Sequence, residues 1–183
     1  PLFRNHDQPK IPKDLGYYDL RVPDVRHKQA LLARKAGVDA FCYWHYWFGN
    51  GKRLLETPFQ EVLKSGDPDL PFCLGWANES WKAKVWDSSS VKKDRVLIEQ
   101  KYPGKQDVID HFYALLDGFR DPRYLRIKGK PVFVVYKPFL LGDVSLFLST
   151  WSELANRERL SEGFHFIGHT EKSTDIPDIL KLG

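Results

Sequence analysis

Two apolar segments, VDAFCY at residues 38–43 and PFCLGWA at residues 71–77, decide the fold class of this 183-residue chain. Both are short, rich in β-branched and aromatic residues, and bounded by glycine, proline or polar residues, which is typical of buried strands. The distance from Phe41 to Phe72 is 31 residues. That distance leaves room for one helix between the two strands.

The same spacing recurs later in the chain. PVFVVY at residues 131–136 and FHFIG at residues 164–168 read as two further strands, with 33 residues from Phe133 to Phe166. Between or beside the four strands, apolar residues recur at helical spacing in residues 24–35, 57–66, 107–119, 144–160 and 176–182. Strands that alternate with helices in this way predict βαβ units on a parallel sheet.

Two α/β architectures fit this pattern: a flavodoxin-like doubly wound sheet and a (β/α)8 barrel. No GxGxxG or GxxxxGK[ST] motif follows any strand, so nothing indicates a nucleotide-binding fold. A complete barrel needs about 250 residues. The chain begins with Pro1 and contains no methionine, so we expect a piece of a longer protein. We therefore predict part of a (β/α)8 TIM-like barrel with about four βα units, as a single incomplete domain over residues 1–183 with an extended arm at residues 1–22.

Composition excludes several classes of protein. The chain is 42% hydrophobic and 28% charged, which is ordinary for a globular protein and excludes disorder, collagen and coiled coil. No apolar run approaches the roughly 20 residues that span a bilayer. The net charge of +4 is too weak and mixed to indicate nucleic acid. Cys42 and Cys73 lie in apolar runs without a CxxC motif, so we expect reduced core thiols and a cytoplasmic setting.

The aromatic fraction is high, at 14% with six tryptophans, and many of these rings follow predicted strands. The carboxyl ends of barrel strands carry the active site. The polar and aromatic residues expected at these ends are Tyr43, Trp44, His45, Tyr46, Trp47, Trp76, Asn78, Trp81, Tyr136, Lys137 and His169. A sugar stacks its C–H face on such rings and offers hydroxyls to such polar groups. We therefore predict that these residues bind an oligosaccharide or polysaccharide.

Glycosyl transfer commonly uses two carboxyl groups. Glu79 is the first candidate because it follows a strand between two tryptophans, although a carboxylate at a helix start would look the same. Glu99 is the second; flanked by apolar residues, it either faces inward with a raised pKa or alternates outward on a short strand. Glu171 is as well explained as a helix cap, and Glu56 as a structural or rim residue.

Other interpretations of the same residues stay open. His45 fits a packed core histidine as well as a hydroxyl-binding one, and the aromatic block could be a surface for a partner. The chain could thus be a non-catalytic glycan-binding module or an interaction scaffold. No HExxH motif or GxSxG elbow occurs, so we expect no metal, no other cofactor and no serine nucleophile.

Long stretches of the sequence resemble the WbsX-type glycosyltransferase family, also called glycoside hydrolase family 99-like proteins. The matching stretches are QPKIPKDLGYYDL (8–20), FCYWHYWFGNGKRLLETP (41–58), PFCLGWANESW (71–81), LIEQKY (97–102) and DPRYLRIKGKPVFVVYKP (121–138). The resemblance implies a (β/α)8-like barrel that acts on sugars in bacterial O-antigen or capsule metabolism.

The two family labels imply different reactions. As a transferase the protein would use a sugar nucleotide; as a relative of endo-acting α-mannosidases it would hydrolyse a glycoside. The catalytic pair of the hydrolase family, two glutamates three residues apart at one strand end, has no match in this sequence. The resemblance therefore carries over only the aromatic strand-end motif and Glu79, as lining of the active site.

Overall fold

The computed structural model describes residues 4–5, 10, 12–83 and 95–181. It divides into two compact units, one formed by Pro1–Asp39 with Thr57–Leu70 and the other by Ala40–Glu56 with Pro71–Gly183. The first unit carries two helices, and the second carries the sheet and the candidate site. The interpretation of residues 1–183 as a single domain stays a prediction.

The helices of the first unit are α1 (Pro23–Lys35) and α2 (Thr57–Ser65), and both confirm the helices predicted there. Gly37, with φ +77°, reverses the chain after α1. The amide of Val38 then donates to the carbonyl of Ala33 at 2.9 Å. This bond is the ordinary way to close a helix at a left-handed glycine, so Val38 ends α1 instead of starting a strand.

Part of the predicted arm belongs to the residues that the structure describes. Residues 12–22 contain no helix or strand, and the extended arm stays a prediction. A turn near the end is closed by the amide of Val22, which donates to the carbonyl of Asp19 at 3.1 Å. Residues 1–3, 6–9 and 11 of the arm lie outside the described residues, as do residues 84–94 between the second and third predicted strands.

The second unit contains seven strands and three helices among the described residues. In chain order they are β1 (Phe41–His45), β2 (Phe72–Trp76), β3 (Trp81–Ala83), β4 (Arg95–Ile98), α3 (Lys105–Arg120), β5 (Arg126–Ile127), β6 (Lys130–Val135), α4 (Val144–Arg157), β7 (His165–Gly168) and α5 (Ile176–Ile179). Short 3-10 turns follow β6 and β7, at Pro138–Leu140 and Ser173–Asp175.

The four predicted strands form one parallel sheet in the order β1–β2–β6–β7. Each is followed in the chain by a helix, which confirms the predicted βα units. The short β5 forms an antiparallel hairpin with the start of β6. The long middle gap holds a separate antiparallel pair, β3 with β4. Parallel pairing brings the carboxyl ends of β1, β2, β6 and β7 to one edge of the sheet.

Alternate residues of the strands face opposite sides of the sheet. Phe72, Leu74 and Phe133 face the side on which α3 and α4 pack, and each is fully buried. Trp151 of α4 lies 4.6 Å from the Phe133 ring, and its indole N–H donates to the carbonyl of Val108 in α3 at 3.0 Å. This ring-rich layer is the core of the second unit.

The first strand departs from expectation in two ways. It begins at Phe41, and its residues alternate between half-buried and exposed, so the prediction of a fully buried strand is wrong. Cys42 is exposed, whereas its neighbour Cys73 is buried, so only one of the two predicted core thiols lies in the core. Cys42 and Trp44 face the side of the sheet opposite to α3 and α4, and both side chains are exposed there.

The last helices are shorter than predicted. Arg159 adopts φ +54°, a left-handed conformation that ends α4 at Arg157 instead of at residue 160. At its start, the Asp143 carboxylate accepts the amide of Leu146 at 2.8 Å, which is a regular N-cap. The final helix runs only over Ile176–Ile179.

Candidate carbohydrate-binding site

Three rings meet on the exposed side of the sheet at the strand ends, and we call Trp44, Tyr136 and His169 the exposed ring cluster. Trp44 and Tyr136 lie edge to face with centroids 5.5 Å apart. Tyr136 and His169 are stacked at 4.9 Å and 27°. Trp44 is 47% exposed. Residues from β1 and from just after β6 and β7 thus form one open aromatic surface.

Gly75 of β2 makes room for this surface. A Cβ at that position would lie 3.1 Å from two ring carbons of Trp44, which is tighter than ordinary packing. The indole therefore rests directly on the backbone of β2. This contact fixes the orientation of the ring, and a ring held in place loses little entropy when a ligand binds.

An ion pair stands beside the exposed ring cluster. The ammonium of Lys137 lies 4.4 Å from the centroid of the Tyr136 ring and donates to Glu171 Oε1 at 3.0 Å. The Tyr136 hydroxyl donates to the same oxygen at 3.4 Å. Lys137 lowers the pKa of Glu171, and Glu171 in turn raises the pKa of Lys137. Both groups therefore stay charged at neutral pH, and Glu171 is not a helix cap in this structure.

These charged groups line a pocket of about 220 Å³. Its wall includes Lys137, His169, Thr170, Glu171 and Asp175. Hydroxyl groups can both donate to such carboxylates and accept from such ammonium and imidazole groups. A larger pocket of about 450 Å³ lies beside β7, but its lining is mainly hydrocarbon and offers few partners for hydroxyls.

Asn78 lies behind the surface and is fully buried. Its side-chain N–H groups donate to the Lys137 carbonyl at 2.9 Å and to the Tyr102 hydroxyl at 3.1 Å. Its side-chain oxygen accepts the amide of Lys137 at 2.8 Å. Tyr102 donates back to the Asn78 carbonyl at 2.8 Å, and burial raises the pKa of Tyr102 to about 12. Asn78 thus ties the segments after β2 and β6 together, and its amide is occupied by protein.

His45 faces the core side of the sheet. Its Nε2 lies 2.7 Å from Nε2 of His111 on α3, and the two rings are stacked at 4.9 Å. Burial lowers the pKa of His45 to about 3, with a smaller contribution from the positive charge of Arg53. Burial likewise places the pKa of His111 well below its usual value. The geometry favours the packed core histidine over the hydroxyl-binding one.

Trp47 and Trp76 also lie in the core, each 3% exposed. Trp47 stacks on His111 at 4.9 Å and 8°, while Trp76 meets the same imidazole edge to face at 4.6 Å. The Trp76 indole N–H donates to the carbonyl of Trp47 at 3.0 Å. Both rings are covered by protein, which corrects the expectation that they are free to stack on a sugar.

The loop after β1 is held by Asp107 of α3. One carboxylate oxygen accepts the Trp47 indole N–H at 3.0 Å and the other accepts the amide of Asn50 at 2.6 Å. Gly49 packs so closely that a Cβ there would lie 2.7 Å from the Lys101 carbonyl oxygen. The loop is therefore fixed by α3 and the segment before it.

A second aromatic group joins the same loop to β3. Trp81 meets Tyr46 at 5.3 Å and Phe48 at 5.5 Å, both edge to face. Tyr46 and Trp81 are half-buried, so each keeps part of a ring open. Tyr43 is likewise half-buried and packs against Phe72 at 5.9 Å.

The two predicted catalytic glutamates have different surroundings. Glu79 is half-buried just after β2. Glu99 has a side chain that is 64% exposed and pairs with Lys101 at 3.4 Å, so it alternates outward and does not face an apolar interior. Glu56 pairs with Arg53 at 3.0 Å, in keeping with a structural role. Within the described residues no group of histidine, cysteine and carboxylate side chains could hold a metal ion.

Sequence reasoning missed His111, Asp107 and Tyr102. His111 and Asp107 are four residues apart on α3, and the spacing from the inward Val108 and Phe112 places both near the buried face. The helical spacing therefore indicates in advance that His111 lies on the buried face of α3. Tyr102 ends the stretch LIEQKY after β4, but that stretch does not indicate that its hydroxyl reaches Asn78.

A family model described as "Glycosyltransferase WbsX" matches residues 1–182. The chain belongs to this family. It is 42% identical over 153 residues to the uncharacterized protein WxcX of Xanthomonas campestris pv. campestris strain B100, and equally to that of strain ATCC 33913. The match covers 82% of this chain and 21% of the relative, so the chain spans about a fifth of the curated relatives it matches.

Solved structures show the same fold. The GH99 endo-α-mannosidase of Bacteroides thetaiotaomicron superposes with a TM-score of 0.58 over 92% of this chain and 46% of its own, at 20% identity. A glycoside hydrolase-like protein superposes with a TM-score of 0.59 over 90% and 48%, at 16% identity. Together with the parallel sheet, these matches show that this WbsX family member contains part of a TIM-like barrel. None of its described helices is long and apolar enough to cross a membrane.

Proposed function

We propose that this chain provides part of the sugar-binding and catalytic wall of an enzyme that transfers or hydrolyses glycosyl groups in bacterial surface-polysaccharide metabolism. The observation that carries the proposal is the exposed ring cluster, with the Lys137–Glu171 ion pair beside it at the carboxyl ends of the strands. The family and the barrel fold support the carbohydrate class, and the O-antigen assignment follows the family resemblance. We place the reaction in the cytoplasm, in line with two unbridged cysteines.

The residues have separate roles in this proposal. Trp44 stacks on the apolar face of a sugar ring, and Lys137, Tyr136 and His169 hydrogen-bond its hydroxyls. Tyr46 and Trp81 extend the aromatic surface toward β3. Glu79 acts as acid, base or nucleophile. Asn78 and His45 hold the strand ends in place from behind the surface, so they contribute by positioning.

The reaction type follows from the ligand. An oligosaccharide that binds alone favours hydrolysis, while a requirement for a sugar nucleotide favours transfer. A second candidate function is a glycan-binding module without turnover. The exposure of Glu99 favours it, because Glu99 then does not face inward as a second catalytic carboxylate beside Glu79.

The test is isothermal titration calorimetry of the chain with a panel of neutral oligosaccharides, acidic oligosaccharides and sugar nucleotides. For the ligand that binds, Trp44→Ala is expected to weaken affinity about ten-fold or more, the equivalent of about 1.4 kcal/mol. Tyr18→Ala is the matched control, because Tyr18 is a comparably exposed ring outside the sheet unit. Equal affinity in both variants would refute the proposed surface.

Turnover separates the enzyme from the binding module. In the enzyme, Glu79→Gln abolishes turnover of the bound ligand and retains its binding, since the amide keeps the shape and loses the acid–base function. In the module, neither the parent chain nor the variant turns over any bound ligand.

A further inference from the structure

The two cysteines lie next to each other on the sheet. Cys42 of β1 and Cys73 of β2 are register partners in the parallel pair. Adjacent strands are about 4.8 Å apart, and disulfides join residues whose Cα atoms are about 4.4–6.8 Å apart. The backbone spacing therefore allows a direct bond between the two sulfurs. Both thiols are free in this structure.

The side chains point to the same side of the sheet. A Cβ on Gly75 would lie 3.0 Å from the Cys42 sulfur and 3.1 Å from the Trp44 ring. The sulfur and the indole therefore rest on the same glycine. Cys42 is exposed and can meet a reagent from solution, while Cys73 is buried.

Interaction with the neighbouring Cys73 thiol lowers the pKa of Cys42, and the same interaction together with burial raises the pKa of Cys73. Reaction with an electrophile needs the thiolate, so the accessible sulfur is also the more reactive one. Cys73 is the register partner of Cys42, so the backbone places it as the resolving thiol.

We propose that Cys42 and Cys73 form a reactive dithiol that closes into a cross-strand disulfide beside Trp44. With an electrophilic diazene as oxidant, the Cys42 thiolate adds to one nitrogen of the N=N bond. The Cys73 thiol then attacks the Cys42 sulfur, the S–N bond breaks, and the hydrazine leaves with both protons. The two thiols lose two electrons and the diazene gains them.

Closure changes the surroundings of Trp44. The Cys42 sulfur lies against Gly75, on which the Trp44 ring also rests, and it must turn toward Cys73, two residues earlier on β2, to form the disulfide. The emission of Trp44 is therefore expected to change on oxidation. The inference is independent of the proposed function, since it concerns thiol chemistry and needs no glycan.

Intact-mass spectrometry of the chain treated with diamide tests the proposal. The expected product is a monomer that has lost two hydrogen atoms and regains them with dithiothreitol. Cys42→Ser and Cys73→Ser must both abolish this product. Cys73→Ala removes the thiol that lowers the pKa of Cys42, so alkylation of Cys42 by iodoacetamide at pH 7 is expected to slow several-fold. The oxidation-linked change in fluorescence is expected to vanish in Trp44→Phe.

Three results would overturn the proposal. One is a chain whose native mass stays unchanged under conditions that oxidise the urea-unfolded chain. The second is a disulfide formed only between two chains. The third is a Cys42 alkylation rate that does not change in Cys73→Ala.

Discussion

The two ring clusters of the sheet unit contain the same kinds of residue and have opposite surroundings. On the helix side, His111, Trp47, Trp76 and Trp151 pack against one another and are almost fully buried. On the other side, the exposed ring cluster is open. Aromatic composition therefore does not distinguish a core from a binding surface, whereas the side of the strand does.

The distinction is clearest within the first strand. His45 and Trp44 are neighbours in sequence, yet His45 joins the buried cluster and Trp44 the exposed one. A strand places successive side chains on opposite faces. A continuous aromatic block such as residues 43–48 is therefore shared between two different environments, and only part of it is available to a ligand.

The largest expected effect contrasts Trp151 with Trp44. Trp151→Ala removes a fully buried ring and is expected to lower the free energy of unfolding by about 3–5 kcal/mol, or to prevent folding. Trp44→Ala removes an exposed ring and is expected to cost about 1 kcal/mol or less. Urea unfolding followed by circular dichroism measures both, with Trp151→Phe as a milder variant. Similar losses for Trp44→Ala and Trp151→Ala would contradict the division between clusters.

Asn78 tests whether the exposed side is held from behind. Asn78→Ala leaves the Lys137 backbone groups and the Tyr102 hydroxyl short of partners, and is expected to cost about 2–3 kcal/mol. Asn156→Ala, at an exposed position of α4, should change stability by less than about 0.5 kcal/mol. Thermal unfolding of the two variants compares them. A loss no larger for Asn78 than for Asn156 would mean that these hydrogen bonds do not hold the strand ends.

Acid is expected to weaken the buried cluster. The pKa of His45 is lowered to about 3 in the fold, and that of His111 is lowered too, while an unfolded histidine has a pKa of about 6.5. Between these values the unfolded chain binds more protons, so stability falls as pH drops below about 6.5, by up to about 1.4 kcal/mol per pH unit for each histidine.

Urea titrations at pH 7, 6 and 5 measure this dependence. His111→Gln should flatten it, because one of the two depressed histidines is gone. Asn156→Ala, at an exposed position of α4 with no titrating side chain, should leave it unchanged. If the stability of the parent chain varied with pH no more steeply than that of His111→Gln, His45 and His111 would not be a pair of neutral histidines in the core.

The smallest expected effect concerns Glu99. Its ion pair with Lys101 is exposed, so Glu99→Gln should change stability by less than about 0.5 kcal/mol. If the chain turns over a glycan, Glu99→Gln should retain the rate that Glu79→Gln loses. Loss of turnover in Glu99→Gln would restore it as a catalytic residue.

Much of the fold could be predicted because spacing and composition are local signals. The four strands and their helices followed from the 31- and 33-residue repeats, and the inward face of α3 followed from helical periodicity. The exposure of Cys42 could not be predicted, since it depends on which face of the sheet is covered. The predicted ends of helices and strands were wrong where a single residue, such as Val38 or Arg159, closes a helix.

The candidate site was predicted only in part for a related reason. The strand ends identified Trp44, Tyr136, Lys137 and His169, because parallel strands end at one edge of a sheet. Asn78 and His45 also lie near the strand ends, and the residues that they contact are far away in sequence. Tyr102 is 24 residues from Asn78, and His111 is 66 residues from His45. Such contacts follow from tertiary packing, and no local pattern encodes them.

The most direct experiment asks whether Trp44 is open to a glycan while the core tryptophans are covered. It is oxidative footprinting of tryptophan, with and without the bound glycan, read out by peptide mass spectrometry. We expect Trp44 to be oxidised rapidly while Trp47, Trp76 and Trp151 are protected, and we expect the bound glycan to protect Trp44. Oxidation of Trp47 or Trp76 as fast as Trp44, or a bound glycan that leaves Trp44 equally reactive, would contradict these expectations.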